Sequence, residues 1–201
     1  MKHFLIAAAA LALACAAHAE SGHAPKIERA EGVVTSISST EIVLSEAGGK
    51  IETIQLLPGW SVAVSKPITV DQIQPGSYLG TTNYAKPDGT GRSTEVHVSP
   101  PGVKGPGLDF LMDAAAQTTM TNGVVATVVK SDGGQVLEIN YGSGIRRVTV
   151  PPGTPVVLNT PGGHELVKTG LKVRVVTFTP STGGSPHLFI TVGEDGSPLP
   201  D

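Results

Sequence analysis

The residues that could bind a transition metal or act as a general base are few and scattered. Beyond residue 20 the chain has four histidines and no cysteine. No two of these histidines are two or four residues apart, the spacings that place side chains on one face of a strand or helix. A copper or zinc site would therefore depend on distant parts of the chain coming together. That alternative hypothesis assigns His97, His164 and His187 as ligands.

Known catalytic motifs are missing from the same part of the sequence. It contains no His-Glu-x-x-His, no Gly-x-Ser-x-Gly, no phosphate-binding P-loop and no Cys-x-x-Cys. Serine and threonine are plentiful, but a hydroxyl nucleophile also needs a base to activate it. The sequence therefore predicts a protein that is not an enzyme and has no cofactor.

Aromatic and basic side chains are the remaining candidates for contact with a ligand. They fall on strands and turns that the sequence predicts to be parts of small β-barrels, in which ligands bind on one strand face and its flanking loops. The candidate residues are Trp60, Tyr78, Tyr84, Tyr141, Arg146, Arg147 and Lys172.

The composition indicates an all-β protein. Of 201 residues, 25 are glycine and 16 are proline, and only 15% are charged. Short Val/Ile/Leu clusters separated by Gly and Pro are typical of β-strands, and they exclude a coiled coil or helical bundle. The net charge is −3 and there is no basic block, which argues against a nucleic-acid partner.

The first nineteen residues have the features of a secretory signal peptide. A polar start at Lys2 and His3 precedes an apolar run from 4 to 14, and Ala17-His18-Ala19 is a typical cleavage site. The run is too short to span a bilayer. We expect cleavage near Ala19 and a periplasmic or secreted protein. In the alternative, Cys15 is the acylated cysteine of a lipoprotein, which would attach the chain to a membrane.

The chain contains an internal repeat. Ile51–Val98 aligns without a gap on Ile145–Val192, at a constant offset of 94 residues, and Gly32-Val33-Val34 aligns on Gly123-Val124-Val125. Identical pairs include Pro58/Pro152, Gly59/Gly153, Pro67/Pro161, Gly76/Gly170 and Gly89/Gly183.

Each copy is predicted to contain six short strands and one helical turn. This order fits a small closed barrel of the oligonucleotide/oligosaccharide-binding (OB) type, and one sandwich formed across the repeat boundary is the alternative. In the linker, the apolar residues of 108–116 have helical spacing and predict a short helix. The predicted organisation is a signal peptide at 1–19, an N-terminal tail at 20–30, a first barrel at 31–98, a Pro/Gly-rich linker with the helix at 99–121, a second barrel at 122–193 and a C-terminal tail at 194–201.

Both copies resemble the exported bacterial β-barrel domains grouped as the DUF5666 family. The resemblance rests on Gly-Val-Val at the first strand, with Ile73–Leu79 in the first copy and Val167–Val173 in the second. Where that family usually has an acidic residue after the glycine, this chain has Ser77 and Leu171. The resemblance implies a fold but no activity.

Together these features predict two tandem OB-like barrels that form an exported, non-enzymatic binding or interaction module. Its partner would be a periplasmic protein or a small ligand. A periplasmic accessory protein that handles copper or zinc is the alternative function.

Overall fold

The computed structural model describes residues 25–113, 115–181, 183–194 and 199. The proposed signal peptide, Cys15 and most of the C-terminal tail lie outside the described residues. Within them the chain forms one sheet of thirteen strands. The strands are β1 (Lys26–Ile37), β2 (Glu41–Glu46), β3 (Ile51–Gln55), β4 (Ser61–Pro67), β5 (Tyr78–Ala85), β6 (Gly91–Val98), β7 (Leu108–Asp113), β8 (Thr118–Ser131), β9 (Gly134–Asn140), β10 (Ile145–Val150), β11 (Val156–Gly162), β12 (Lys172–Thr179) and β13 (His187–Gly193).

The prediction of an all-β protein is confirmed, and the predicted linker helix is wrong. Leu108–Asp113 is strand β7, which pairs antiparallel with β8. The polarity pattern of these six residues fits both the helical period of 3.6 and the strand period of 2. The long strand β8 provides β7 with backbone hydrogen-bond partners, whereas a short isolated helix is only marginally stable. The first strand also begins at Lys26, within the segment that was predicted as a tail. No helix of the described residues is long and apolar enough to cross a membrane.

Five strands close into a barrel. β5 pairs with β8 and β6, β9 joins β8 to β10, and a parallel pairing of β10 with β6 completes the ring. Closure removes the free strand edges that would otherwise template aggregation. We call these five strands the closed barrel, and its core contains Ile73, Leu79, Val96, Val98, Val125, Leu137, Ile139, Val148, Val150 and Val156.

Six other strands form a second, open unit, whereas β7 pairs with β8 and β11 lies between β6 and β4. Its order is β4-β13-β12-β1-β2-β3, and we call it the open half. In the closed barrel, Arg92 of β6 lies opposite Thr149 of β10. The aligned residues of the other copy are Pro186 and Gln55. Strands β13 and β3 are not paired in the described part of the chain, and proline has no N–H to donate to such a pairing.

The strands of the two sequence copies are interleaved. β5 and β6 of the first copy lie in the closed barrel with β8, β9 and β10 of the second. Conversely, β12 and β13 lie in the open half beside β1 and β4. The structure therefore does not confirm two barrels in tandem, each folded from one copy.

The two halves meet along β4 and β11 with a nearly two-fold geometry. These strands pair antiparallel around Ser65 and Asn159, which face each other and are 94 residues apart. On either side, Val157 lies opposite Pro67 and Pro161 lies opposite Ala63. The same offset relates these two pairs, so the contact has the self-complementary form of a two-fold interface.

Turn geometry follows the same relation. Gly76 and Gly170 have φ values of +89° and +90°, a region that side chains rarely adopt. Their N–H groups donate to the carbonyls of Val125 and Val34, both at 2.8 Å. Aligned glycines thus make aligned hydrogen bonds, each to a strand of the other copy.

Candidate functional site

A cleft of about 570 Å³ lies between the open half and the closed barrel. Alternation along the strands explains how it forms. In β12, Val173 and Val175 are buried in the core of the open half, so that Arg174 and Val176 point into the cleft. In β6, Glu95 and His97 line the facing wall.

Large apolar side chains cover much of the cleft. They come from six strands, and Phe189 remains 43% exposed there. Exposed aromatic surface in a concave site favours binding of an apolar group. The main apolar lining residues are Ile27, Phe110, Met120, Val157, Val176, Phe178 and Phe189.

A chain of hydrogen bonds holds Glu95 on the wall formed by the closed barrel. The Asn159 amide nitrogen lies 3.2 Å from His97 Nδ1, and His97 Nε2 lies 3.3 Å from the Glu95 carboxylate. The Thr82 hydroxyl donates to the other carboxylate oxygen at 2.8 Å. The hydrogen bond from His97 outweighs the effect of burial and lowers the pKa of Glu95 to about 2. Glu95 is therefore ionised at neutral pH.

A second cluster of charges lies on the wall formed by the open half. Glu31 accepts from Lys172 at 2.7 Å and from Arg174 at 2.8 Å and 2.9 Å. Burial alone would raise the pKa of Glu31, but the hydrogen bonds from Lys172 and Arg174 outweigh it and lower that pKa. The carboxylate of Glu31 is thus neutralised by two cations.

Arg29 also lines the cleft, but its guanidinium has a weak partner. Its Nη2 lies 3.2 Å from the sulfur of Met112 in β7, across from β1. A thioether accepts a hydrogen bond only weakly and carries no charge. The adjacent Glu28 pairs instead with Lys26, at 2.9 Å.

Residues at aligned sequence positions line the cleft in pairs whose chemistry differs. In three of the pairs, a charged or titratable side chain from one copy corresponds to an uncharged one from the other. In a fourth pair, the aligned residues are glycine and arginine. The cleft is consequently amphipathic although its backbone is nearly symmetric. The pairs are Arg29/Met120, Glu95/Phe189, His97/Thr191 and Gly80/Arg174.

Of the candidate ligand residues, only Tyr78 lines this cleft. Its hydroxyl donates to the Pro106 carbonyl at 2.8 Å, and burial raises the pKa of Tyr78. Tyr78 therefore also fixes the linker. Lys172 lies beside the cleft and neutralises Glu31.

The other candidates are dispersed. Tyr84 is exposed, while Tyr141 is half-buried at the end of β9. Arg146 approaches Asp109 at 3.8 Å, and Arg147 pairs with Glu138 at 3.0 Å. The structure does not bring these four side chains into the cleft.

Trp60 and His164 form a separate contact. Their rings stack at a centroid distance of 3.7 Å with an interplanar angle of 10°. His164 Nε2 lies 2.9 Å from the Trp60 carbonyl oxygen, and Trp60 packs on the core of the open half. Both side chains thus cover a core.

The histidines of the metal hypothesis occupy different surroundings. His97 is held by Glu95 and Asn159, His164 by Trp60, and His187 lies near Phe189 with ring centroids 6.5 Å apart. Across the described ranges, no group of three or more His, Cys, Asp or Glu side chains is arranged to hold a metal ion.

The sequence analysis missed most of the residues that line the cleft. Arg29, Glu95, Arg174 and Phe189 alternate with buried apolar residues on their strands, which places them on the outer face of each unit, and Phe178 follows on the same face as Arg174 and Val176. That alternation was visible in the sequence. The pairing that turns two outer faces toward each other was not.

Comparison with known proteins gave no matching family model, no matching curated protein and no matching solved structure.

Proposed function

We propose that the chain is a non-enzymatic binding module that holds a small molecule in the cleft between the open half and the closed barrel. One observation carries the proposal: a concave site of about 570 Å³ combines aromatic walls with a few fixed polar groups. This volume lies within the range of roughly 300–1,000 Å³ that is typical of small-molecule sites.

The polar groups of the cleft support binding rather than chemistry. His97 is engaged by Glu95 and Asn159 and does not contact a hydroxyl nucleophile. Glu31 is neutralised by Lys172 and Arg174. Side chains fixed in this way orient a ligand without a large reorganisation on binding.

Binding of a neutral fluorescent probe tests the proposal. N-phenyl-1-naphthylamine should bind saturably with a stoichiometry of one, with increased fluorescence. Thr191→Trp, which places an indole in the cleft, should abolish binding, whereas Thr53→Trp on the exposed strand β3 should not. Absence of saturable binding, or equal binding by both variants, would refute the proposal.

We further propose that the chain is a fused duplication of an OB-like, DUF5666-type barrel in which the two copies have exchanged their last two strands. The aligned glycines, the matching strand registers and the two-fold pairing of β4 with β11 support this origin.

Export to the periplasm or medium also remains our proposal, supported by the apolar run and the Ala-x-Ala site. Mass spectrometry of the mature N-terminus should find Glu20. A lipidated Cys15 would instead assign the chain to a membrane surface.

A further inference from the structure

The charges around the cleft do not balance. Lys172 and Arg174 both contact Glu31, and Glu95 is ionised beside His97. Arg29 adds a third cation and forms no ion pair within the described part of the chain. The cations Arg29, Lys172 and Arg174 thus outnumber the carboxylates Glu31 and Glu95 by one, and Arg29 is the exposed cation of this group that contacts no carboxylate among the described residues.

The register of the sheet places an apolar strip beside this guanidinium. Arg29 lies opposite Val176, and Val176 lies opposite Phe189 on the next strand. Residues opposite each other in antiparallel strands point to the same face. Two strand spacings give a strip of roughly 10 Å from Arg29 to Phe189. Ile27 and Phe178 form the adjoining pair on the same face.

From these observations we propose that the ligand is a small amphipathic monoanion. Its carboxylate pairs with Arg29 at the mouth of the cleft, and its apolar body lies across Val176 and Phe189. The inference rests on the proposed small-molecule site and adds the class and orientation of the ligand.

The opposite wall restricts the charge of that ligand. Glu95 faces the same cleft as an ionised carboxylate, so a dianion would be repelled. A cation is disfavoured because the cations Arg29, Lys172 and Arg174 outnumber the carboxylates Glu31 and Glu95. A single negative charge pairs instead with Arg29, the cleft cation that contacts no carboxylate among the described residues.

Three ligands with the same ten-carbon chain test the inference: decanoate, 1-decanol and decyltrimethylammonium. Each is titrated into the full chain by calorimetry, below the concentration at which it aggregates. Decanoate should bind roughly tenfold or more tightly than decanol, since a charge-assisted hydrogen bond is about twice as strong as a neutral one. The cation should bind most weakly. Added salt should weaken the binding of decanoate and leave the binding of decanol unchanged.

Variants locate the carboxylate. Arg29→Gln should weaken decanoate binding roughly tenfold and leave decanol binding unchanged. The control Arg92→Gln, which replaces an exposed arginine outside the cleft, should change the affinity for neither ligand. Equal affinity for all three ligands, or decanoate binding that Arg29→Gln does not weaken, would overturn the ligand class and leave the small-molecule site standing. Failure of all three ligands to bind would count against both proposals.

Discussion

The position and pKa of the Glu95 side chain depend on contacts from both sequence copies. Its partners His97 and Thr82 come from the first copy, and Asn159, which holds His97, comes from the second. The pKa of Glu95 falls because His97 donates to it, although burial opposes this. The carboxylate is thus both a wall of the cleft and a link between the copies.

Replacing this carboxylate should reduce stability in a pH-dependent way. A folded pKa of about 2, against the usual 4.5, means that ionised Glu95 stabilises the fold fully above about pH 4.5. This contribution is lost as the pH falls toward 2. Glu95→Gln should therefore lower the free energy of unfolding by up to about 3 kcal/mol at pH 7, and the deficit should shrink below pH 4.5.

Urea unfolding at pH 7, 5 and 3 measures this difference. Glu28→Gln provides the control, since Glu28 is exposed and pairs with the exposed Lys26, and it should change stability by less than about 1 kcal/mol. A deficit for Glu95→Gln that stays constant from pH 7 to 3 would show that the charge is not what stabilises the fold.

At the scale of elements, most strands could be predicted and one could not. The alternation of Ile54 and Leu56 with polar neighbours, and the turns at Gly76 and Gly170, are local signals. Residues 108–116 gave a helical spacing, yet Leu108–Asp113 pairs with β8 as a strand. A nine-residue window carries little periodic information, so the edge offered by β8 decides its structure.

We expect the presence of a closing strand pair in one unit and its absence in the other to depend on two aligned positions, 92 and 186. Arg92→Pro removes an N–H from β6 between β5 and β10, and we expect a loss of about 1–3 kcal/mol. Pro186→Ala, at the aligned position, should change stability by less than about 1 kcal/mol.

Thermal and denaturant unfolding of the two variants would test this, with Arg92→Ala as the control for side-chain loss. If Pro186→Ala destabilised the protein as much as Arg92→Pro, the proline would not explain why the open half lacks the closing pair.

At the scale of the whole molecule, the interleaving of the copies could not be predicted from the sequence. Because the copies share one pattern, Leu79 of β5 and Val173 of β12 occupy equivalent places beside Gly123 and Gly32. By local sequence pattern, β5 and β12 could each pair with β1 or with β8. The cleft forms only with the pairing that is observed, so the sequence assigns its lining residues to a strand face but does not show that they share one site.

Interleaving predicts that the chain will stay together when it is cut. A protease site inserted after Gly102, in the exposed linker, would separate β1–β6 from β7–β13. The two pieces should co-elute in size-exclusion chromatography and dissociate only in denaturant. Six strand pairings join them, namely β1·β12, β4·β11, β4·β13, β5·β8, β6·β10 and β6·β11.

Two independently folded barrels would give the contrary result, with pieces that separate under native conditions. A cut within the hairpin between β12 and β13, at Ser181, gives a comparison in which β13 is the only described strand of the smaller piece.

The long-range pairing of β1 also sets the order in which the protein can fold. Glu31 bonds Arg174, 143 residues later in the chain, and β1 has no antiparallel partner on that side until β12 exists. The open half therefore cannot be completed until the last fifth of the sequence is present, and its valine-rich strands stay uncovered until then. Pairings this distant slow folding and expose the chain to aggregation. A chain truncated before β12 should accumulate as insoluble material.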